Sequence, residues 1–156
     1  MNAFPFSLAL SVYWEDTDAG GVVYHASYLR FLERARTEWF RSLGVFQSTL
    51  GAAHDLVFAI RSMSIEFRLP ARLDDRLEVR VDAVRMGRAS LHFRQSVWRQ
   101  EAGRSELLLT AAVRAACLSA SRFKPRVIPE HLRRLLPAEV ARPERDKGSS
   151  RQEAKE

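Results

Sequence analysis

Cysteine is almost missing: Cys117 is the only one in 156 residues. No internal disulfide can form and no cysteine cluster can hold zinc. A lone cysteine of this kind reads as a small core residue, and the shortage favours a reducing cytoplasm. Also missing is any apolar run of the ~18–20 residues needed to span a bilayer. The opening "MNAFPFSLALSVYWEDTD" has no basic start, and its apolar run leads straight into acids, so no signal peptide is expected. Lysine does not occur before residue 124. The net charge of +6 hints at nucleic acid, but its distribution argues against it. Residues 1–121 carry fifteen arginines against thirteen acids, a net +2, and residues 122–156 supply the other +4. Signs are interspersed in the body, which is a solvated face rather than a phosphate-binding stripe. Internal repeats are absent too.

What remains is an ordinary globular composition, 46% apolar and 28% charged, of a length that suits one domain with one core. Leu8, Leu10 and Val12 alternate with smaller or polar residues and predict a strand over 7–14. The segment "SYLRFLERARTEWFRSLG" has helical spacing. Tyr28, Leu32, Ala35, Trp39 and Leu43 share one stripe, widened by Leu29, Phe31 and Phe40, and Gly44 supplies a stop. Residues 45–55 read as a loop. Four strand patterns follow: Met63, Ile65, Phe67 and Leu69; Leu77, Val79, Val81 and Ala83; Leu91, Phe93 and Val97; and Leu107 to Cys117. The last also has Leu108, Ala112 and Ala116 on its other face, which predicts burial on both sides. Short turns join the last three strands, so they should be antiparallel neighbours. The order predicts an α+β architecture in which one long helix covers an antiparallel sheet. Residues 129–136 suggest a short helix. The domain is set at 1–137, with 138–156 a charged tail; from Ala141 it has no apolar period and reads as disordered.

The densest chemistry lies in "EDTDAGGVVYH" (15–25), between strand and helix. A calcium loop needs alternating oxygen ligands and a closing glutamate near position twelve; Gly20 breaks the alternation and the next glutamate is Glu33. A P-loop needs Gly-Lys-Ser/Thr, and Gly21 is followed by Val22-Val23. Two readings survive on the residues alone. One is a capped turn, since Asp and Gly dominate turns. The other is an acyl-transfer site. Strand 7–14 would deliver Asp18 ahead of the helix, and Gly20 and Gly21 would let a substrate come close. The unpaired first-turn N–H groups near His25 would bind an oxyanion.

The string "VYWEDTDAGGVVYHASYLRFLERARTEW" (12–39) resembles the 4-hydroxybenzoyl-CoA thioesterase family of hotdog-fold proteins, and within it the branch associated with the Tol-Pal cell-envelope system. The likeness runs over about residues 8–129 and includes "PARLDD" (70–75), "GRAS" (87–90) and "KPRVIP" (124–129). It implies a hotdog fold, a five-stranded antiparallel sheet wrapped around one long central helix. It also implies hydrolysis of acyl-CoA to free acid and CoA. By the same resemblance Asp18 is the catalytic carboxylate, as nucleophile or as base for water. The helix-start N–H near His25 polarises the thioester carbonyl, with the His25 side chain in positioning or proton transfer. Gly20, Gly21, Val22 and Tyr24 fall in the substrate-binding string. Arg88 and Ser90 of the "GRAS" turn are candidates for the anionic nucleotide end of CoA. Trp14 stands where many relatives of that branch have a tyrosine, so a tyrosyl role does not simply transfer. No metal or bound cofactor is implied, coenzyme A being part of the substrate. The resemblance further implies a homodimer, or a dimer of dimers. The rival reading keeps the fold but makes it a binding scaffold, engaging acyl carrier protein or phospholipid-synthesis enzymes. That would place a cytoplasmic protein at the periphery of the inner membrane.

Overall fold

The computed structural model describes residues 4–140. In chain order it contains β1 (Phe6–Ser11), a 3-10 turn at Trp14–Asp16, α1 (Ser27–Ser42) and α2 (Gln47–His54). Then come β2 (Leu56–Phe67), β3 (Arg76–Met86), β4 (Ser90–Glu101), β5 (Arg104–Ser119), α3 (Glu130–Leu135) and β6 (Glu139–Val140). The five long strands pair antiparallel in the order β1-β3-β4-β5-β2. This is the hotdog arrangement, with α1 as the filling.

The α1 stripe predicted from the 3.6-residue period is the one buried: Tyr28, Phe31, Leu32, Ala35, Trp39 and Phe40 face inward. Leu29 does not; it lies off the stripe and is exposed. Trp39 is fully buried, with the rings of Phe4, Phe40 and Phe93 around it. The helix lies over β1 and β3. The inner side chains of β2 are therefore incompletely covered. Phe58, Met63 and Ile65 are only partly buried, while Ile60 and Phe67 are 49% and 53% exposed. β2 is also a sheet edge, with no strand on its free side among the described residues.

Bulges shift the predicted inward residues. A slip between Val81 and Ala83 turns Val84 and Met86 into the core in place of Ala83. A second slip, between Val97 and Trp98 opposite β5, leaves Leu108 and Leu109 both buried where Leu107 was expected inward. The expected two-sided burial of β5 is not met at Ala112, which is exposed, because none of the described residues covers the outer sheet face there. The 45–55 segment is not a loop: it carries α2, which hides only Leu50 and so has no apolar period to read. At the other end, Glu139–Val140 pairs in parallel with Arg85–Met86 of β3, so the sheet continues into what was set as tail. The rest of the expected disordered tail, 141–156, lies outside the described residues.

One corner is tied by a carboxylate. Asp55 ends α2 in the left-handed region, φ 48°, which Asp tolerates better than most residues. Its oxygens accept from the Ser121 amide (2.7 Å) and from the Ser119 and Ser121 hydroxyls (2.9 Å each). The Ser121 amide is the main cause that holds this carboxyl below its ordinary value, helped by the two hydroxyls. The sign follows: a lowered folded value stabilises above the unfolded value of about 4 and fades as pH falls through the folded one. Asp55→Asn is therefore expected to lower Tm at pH 7. The gap to the wild type should narrow below about pH 4, as thermal melts across pH would record.

Candidate active site

Asp16, Asp18 and Glu15 separate cleanly in the structure. Asp16 is buried, accepts the Tyr13 amide at 2.8 Å and faces Arg30 at 3.9 Å. It holds the 3-10 turn together and is the turn carboxylate of the string. Asp18 is exposed. Glu15 is exposed and makes no hydrogen bond or ion pair among the described residues.

Asp18 opens a tight turn. Its carbonyl accepts from the Gly21 amide at 3.0 Å, its amide donates to Val22 at 2.9 Å, and Thr17 pairs with Val23. Gly21 has φ 75°, which a side chain would strain. Gly20 has a different reason. Its amide donates to Asp18 Oδ1 at 2.8 Å, and a Cβ there would stand 3.0 Å from that oxygen. The glycine thus aims the carboxylate. Gly20→Ala should disturb that aim and cost turnover about tenfold, a small displacement being enough to lose reactive geometry. The check is kcat with an unchanged Tm.

The helix entrance follows directly. The Tyr24 amide donates to Asp16 and the Ser27 amide to Tyr24. No side chain caps α1. The amides of His25 and Ala26 have no acceptor among the described residues. Unpaired N–H groups at a helix start, with the dipole behind them, are suited to hold an anion. The His25 ring is exposed and makes no hydrogen bond among the described residues; it leans on Tyr24 at 4.5 Å. The ordinary role for a helix-entry histidine, a bond to backbone, is not taken up here.

The weak motif "PARLDD" braces this entrance. The Val23 amide donates to Ala71 at 2.8 Å, Val22 pairs with Arg72, and the Ala71 amide donates to the Tyr28 hydroxyl at 2.9 Å. Burial pushes the Tyr28 phenol up, so it stays protonated. Arg99 then ties the segment down, donating to Pro70 (3.1 Å) and Asp75 (2.9 Å). Between brace and helix lies a groove of about 220 Å³ lined by Val23, His25, Tyr28 and Phe67–Pro70. The helical period gives Tyr28 only as core, and the strand alternation gives Leu69 only as the last residue of its pattern. Their part in this groove depends on a chain return that periodicity does not report.

Arg88 and Ser90 are elsewhere. They sit at the β3–β4 turn, at the far end of β3 from Asp75 and the site, and eleven strand residues at 3.3 Å span about 35 Å. The turn needs Gly87, whose Cβ would come within 2.5 Å of Ser90 Oγ. Ser90 Oγ lies 3.1 Å from His92 Nε2. The Arg88 side chain is exposed, while its carbonyl accepts from Ile128 and Arg133. One chain therefore does not bring these two residues to Asp18. Trp14 is 80% exposed beside the site loop.

A hotdog sheet with a carboxylate-bearing turn at the helix entrance defines a class, and the comparisons agree. The profile of the Thioesterase superfamily matches residues 20–106, and the chain belongs to that superfamily. It is 43% identical over 132 residues to the acyl-CoA thioester hydrolase YbgC of Escherichia coli O6:H1, covering 85% of this chain and 96% of that one. A solved probable thioesterase from Bartonella henselae is 35% identical, with TM-score 0.72, over 79% of this chain and 98% of that one. A 4-hydroxybenzoyl-CoA thioesterase structure shares the fold at 22% identity, with TM-score 0.74, over 83% of this chain and 96% of that one.

Proposed function

We propose that this chain hydrolyses acyl-CoA thioesters to a free acid and CoA. The observation that carries the reading is the exposed Asp18 carboxylate, aimed by Gly20 and set in one short hairpin with a helix start whose His25 and Ala26 amides lack acceptors. Thioester hydrolysis puts negative charge on the carbonyl oxygen, and those amides would hold it. Asp18 supplies the electron pair, by direct attack on the carbonyl carbon or by taking a proton from water. The CoA thiolate leaves. The unbonded His25 ring serves to position the thioester or to carry a proton. Val22 and Tyr24 act through backbone, holding the turn and the helix entrance. Neither metal nor resident cofactor enters this scheme.

A dimer completes it. The open β2 edge and the half-exposed side chains of its inner face call for a second copy. Antiparallel pairing of two β2 edges would bring the partner's 87–90 turn to the Asp18 end. Arg88 would then meet the phosphates of a CoA whose thioester lies on the first chain. Among the described residues no helix is long and apolar enough to cross a membrane. The likeness to the Tol-Pal-associated branch supports a cytoplasmic place at the periphery of the inner membrane, where acyl carrier protein is the partner that the scaffold reading names.

The test is thiol release from acyl-CoA esters of graded chain length. Cleavage of at least one is expected. Cleavage of none would favour the scaffold reading.

A further inference from the structure

Resting on that thioesterase reading, we infer that the acyl cleft ends on a buried cation, Arg36, and that the preferred acyl group carries a carboxylate at its far end.

Arg36 is only 6% exposed, yet no carboxylate lies within ion-pair distance among the described residues. It donates through Nη1 to Gln95 Oε1 at 2.9 Å. Gln95 in turn donates from Nε2 to the Leu32 carbonyl at 3.0 Å, which fixes the amide with its oxygen toward the arginine. A guanidinium has five N–H donors, and this one uses a single side-chain acceptor. Its Cζ lies 5.9 Å from the centroid of Phe93, at the limit of a cation–π contact. Burial pulls the guanidinium down from its ordinary value, while Glu33 counteracts. A charge buried against neutral partners is costly, and a core position needs no charge at all.

The arginine lines a cleft of about 240 Å³ with Phe40, Phe58, Ile60, Phe93 and Ala115. Those five walls are apolar, Thr37 and Gln47 add polar ones, and the guanidinium N–H groups that lack a protein acceptor are not sealed in the core, the pattern of a site that takes a chain with a polar end. Glu33 also lines the cleft, but it is exposed and held by the Thr37 hydroxyl at 2.6 Å. Water screens it more than it screens Arg36. The α1 axis is the ruler between the two ends: from Ser27 to Arg36 it rises about 14 Å. A thioester at the His25 and Ala26 amides would thus reach Arg36 with a medium-length chain. A carboxylate suits the planar fork of a guanidinium better than a hydroxyl does, because it can accept two N–H groups at once.

The test compares kcat/KM for suberyl-CoA and octanoyl-CoA, equal in length and different only at the far end. Wild type should favour suberyl-CoA by about tenfold or more. Arg36→Met should remove that preference, and Arg36→Lys should keep part of it. Gln95→Glu leaves the arginine in place but gives it an internal carboxylate, so it too should abolish the preference; it serves if Arg36→Met does not fold. Equal rates on both esters in wild type would overturn the inference, as would variants that slow both esters alike. So would a dimer that falls apart in Arg36→Met while the ester ratio stays put, since Arg36 would then be an interface cation. If octanoyl-CoA is cleaved and suberyl-CoA is not, this inference fails while the thioesterase reading stands. If no acyl-CoA ester is cleaved, the thioesterase reading itself is what has failed.

Discussion

Asp18→Asn should leave a folded protein that has lost between about a hundredfold and ten-thousandfold of its thioester turnover, the range of a positioned acid–base or nucleophilic group. The replacement is isosteric. Its Oδ1 can still accept from the Gly20 amide, so the turn should persist. The side chain is exposed and takes part in no ion pair among the described residues, so Tm should move little. What disappears is the electron pair that attacks carbon or takes a proton from water. KM should change less than kcat, because the groove and the helix-start amides remain. Single turnover in ¹⁸O-water tests for direct attack. Label inside the Asp18 carboxylate means direct attack, since a water base cannot put it there; label only in the released acid fits a water base or an anhydride that water opens at the acyl carbon. Full turnover by a folded Asp18→Asn protein would remove Asp18 from the chemistry.

Mixing two impaired chains should restore activity at low substrate. If each site takes Asp18 from one chain and Arg88 from its partner, Asp18→Asn and Arg88→Ala homodimers are both impaired at low substrate. Subunits exchanged between them form heterodimers in which one site has lost both residues and the other has kept both. Random exchange makes half of all dimers mixed, so about a quarter of wild-type activity should return. The prediction follows from the β3 span, which holds the two residues too far apart in one chain. It also needs the open β2 edge to be where copies meet, because pairing two antiparallel edges reverses one protomer end for end. Arg88→Ala alone should show as a raised KM, since the nucleotide end is distant from the reacting bond. No recovery on mixing, with subunit exchange verified by mass, would place Arg88 outside the site.

Much of the site was legible because its parts are neighbours in sequence. Asp18, Gly20, Gly21 and His25 stand within eight positions, and the strand before and helix after are strongly periodic. Their individual tasks were less legible. The glycines were expected to make room for a substrate. Gly20 instead orients the acid, and Gly21 makes the turn. The other wall of the groove, Phe67–Pro70, lies more than forty residues from His25, and Ala71 meets Tyr28 only because β2 returns past the helix start. No spacing or motif in the sequence marks Arg36. Its burial against Gln95, 59 positions further along the chain, could be seen only once β4 was laid across α1.

The sequence by itself determined the parts whose physics is local. The long helix, the strands with their turns and the acid-glycine-histidine string all follow from periodicity, turn chemistry and composition, which need no distant contact. Only the tertiary structure decided which acid is buried and which is open. Asp16 and Asp18 are chemically identical and two positions apart, and a 3-10 turn hides the first. It also decided the strand registers after each bulge, the reach of the sheet into residues 139–140, and the separation of Arg88 from Asp18. These depend on how far apart the chain places residues in space, and that distance is set by strand pairing rather than by any spacing along the chain.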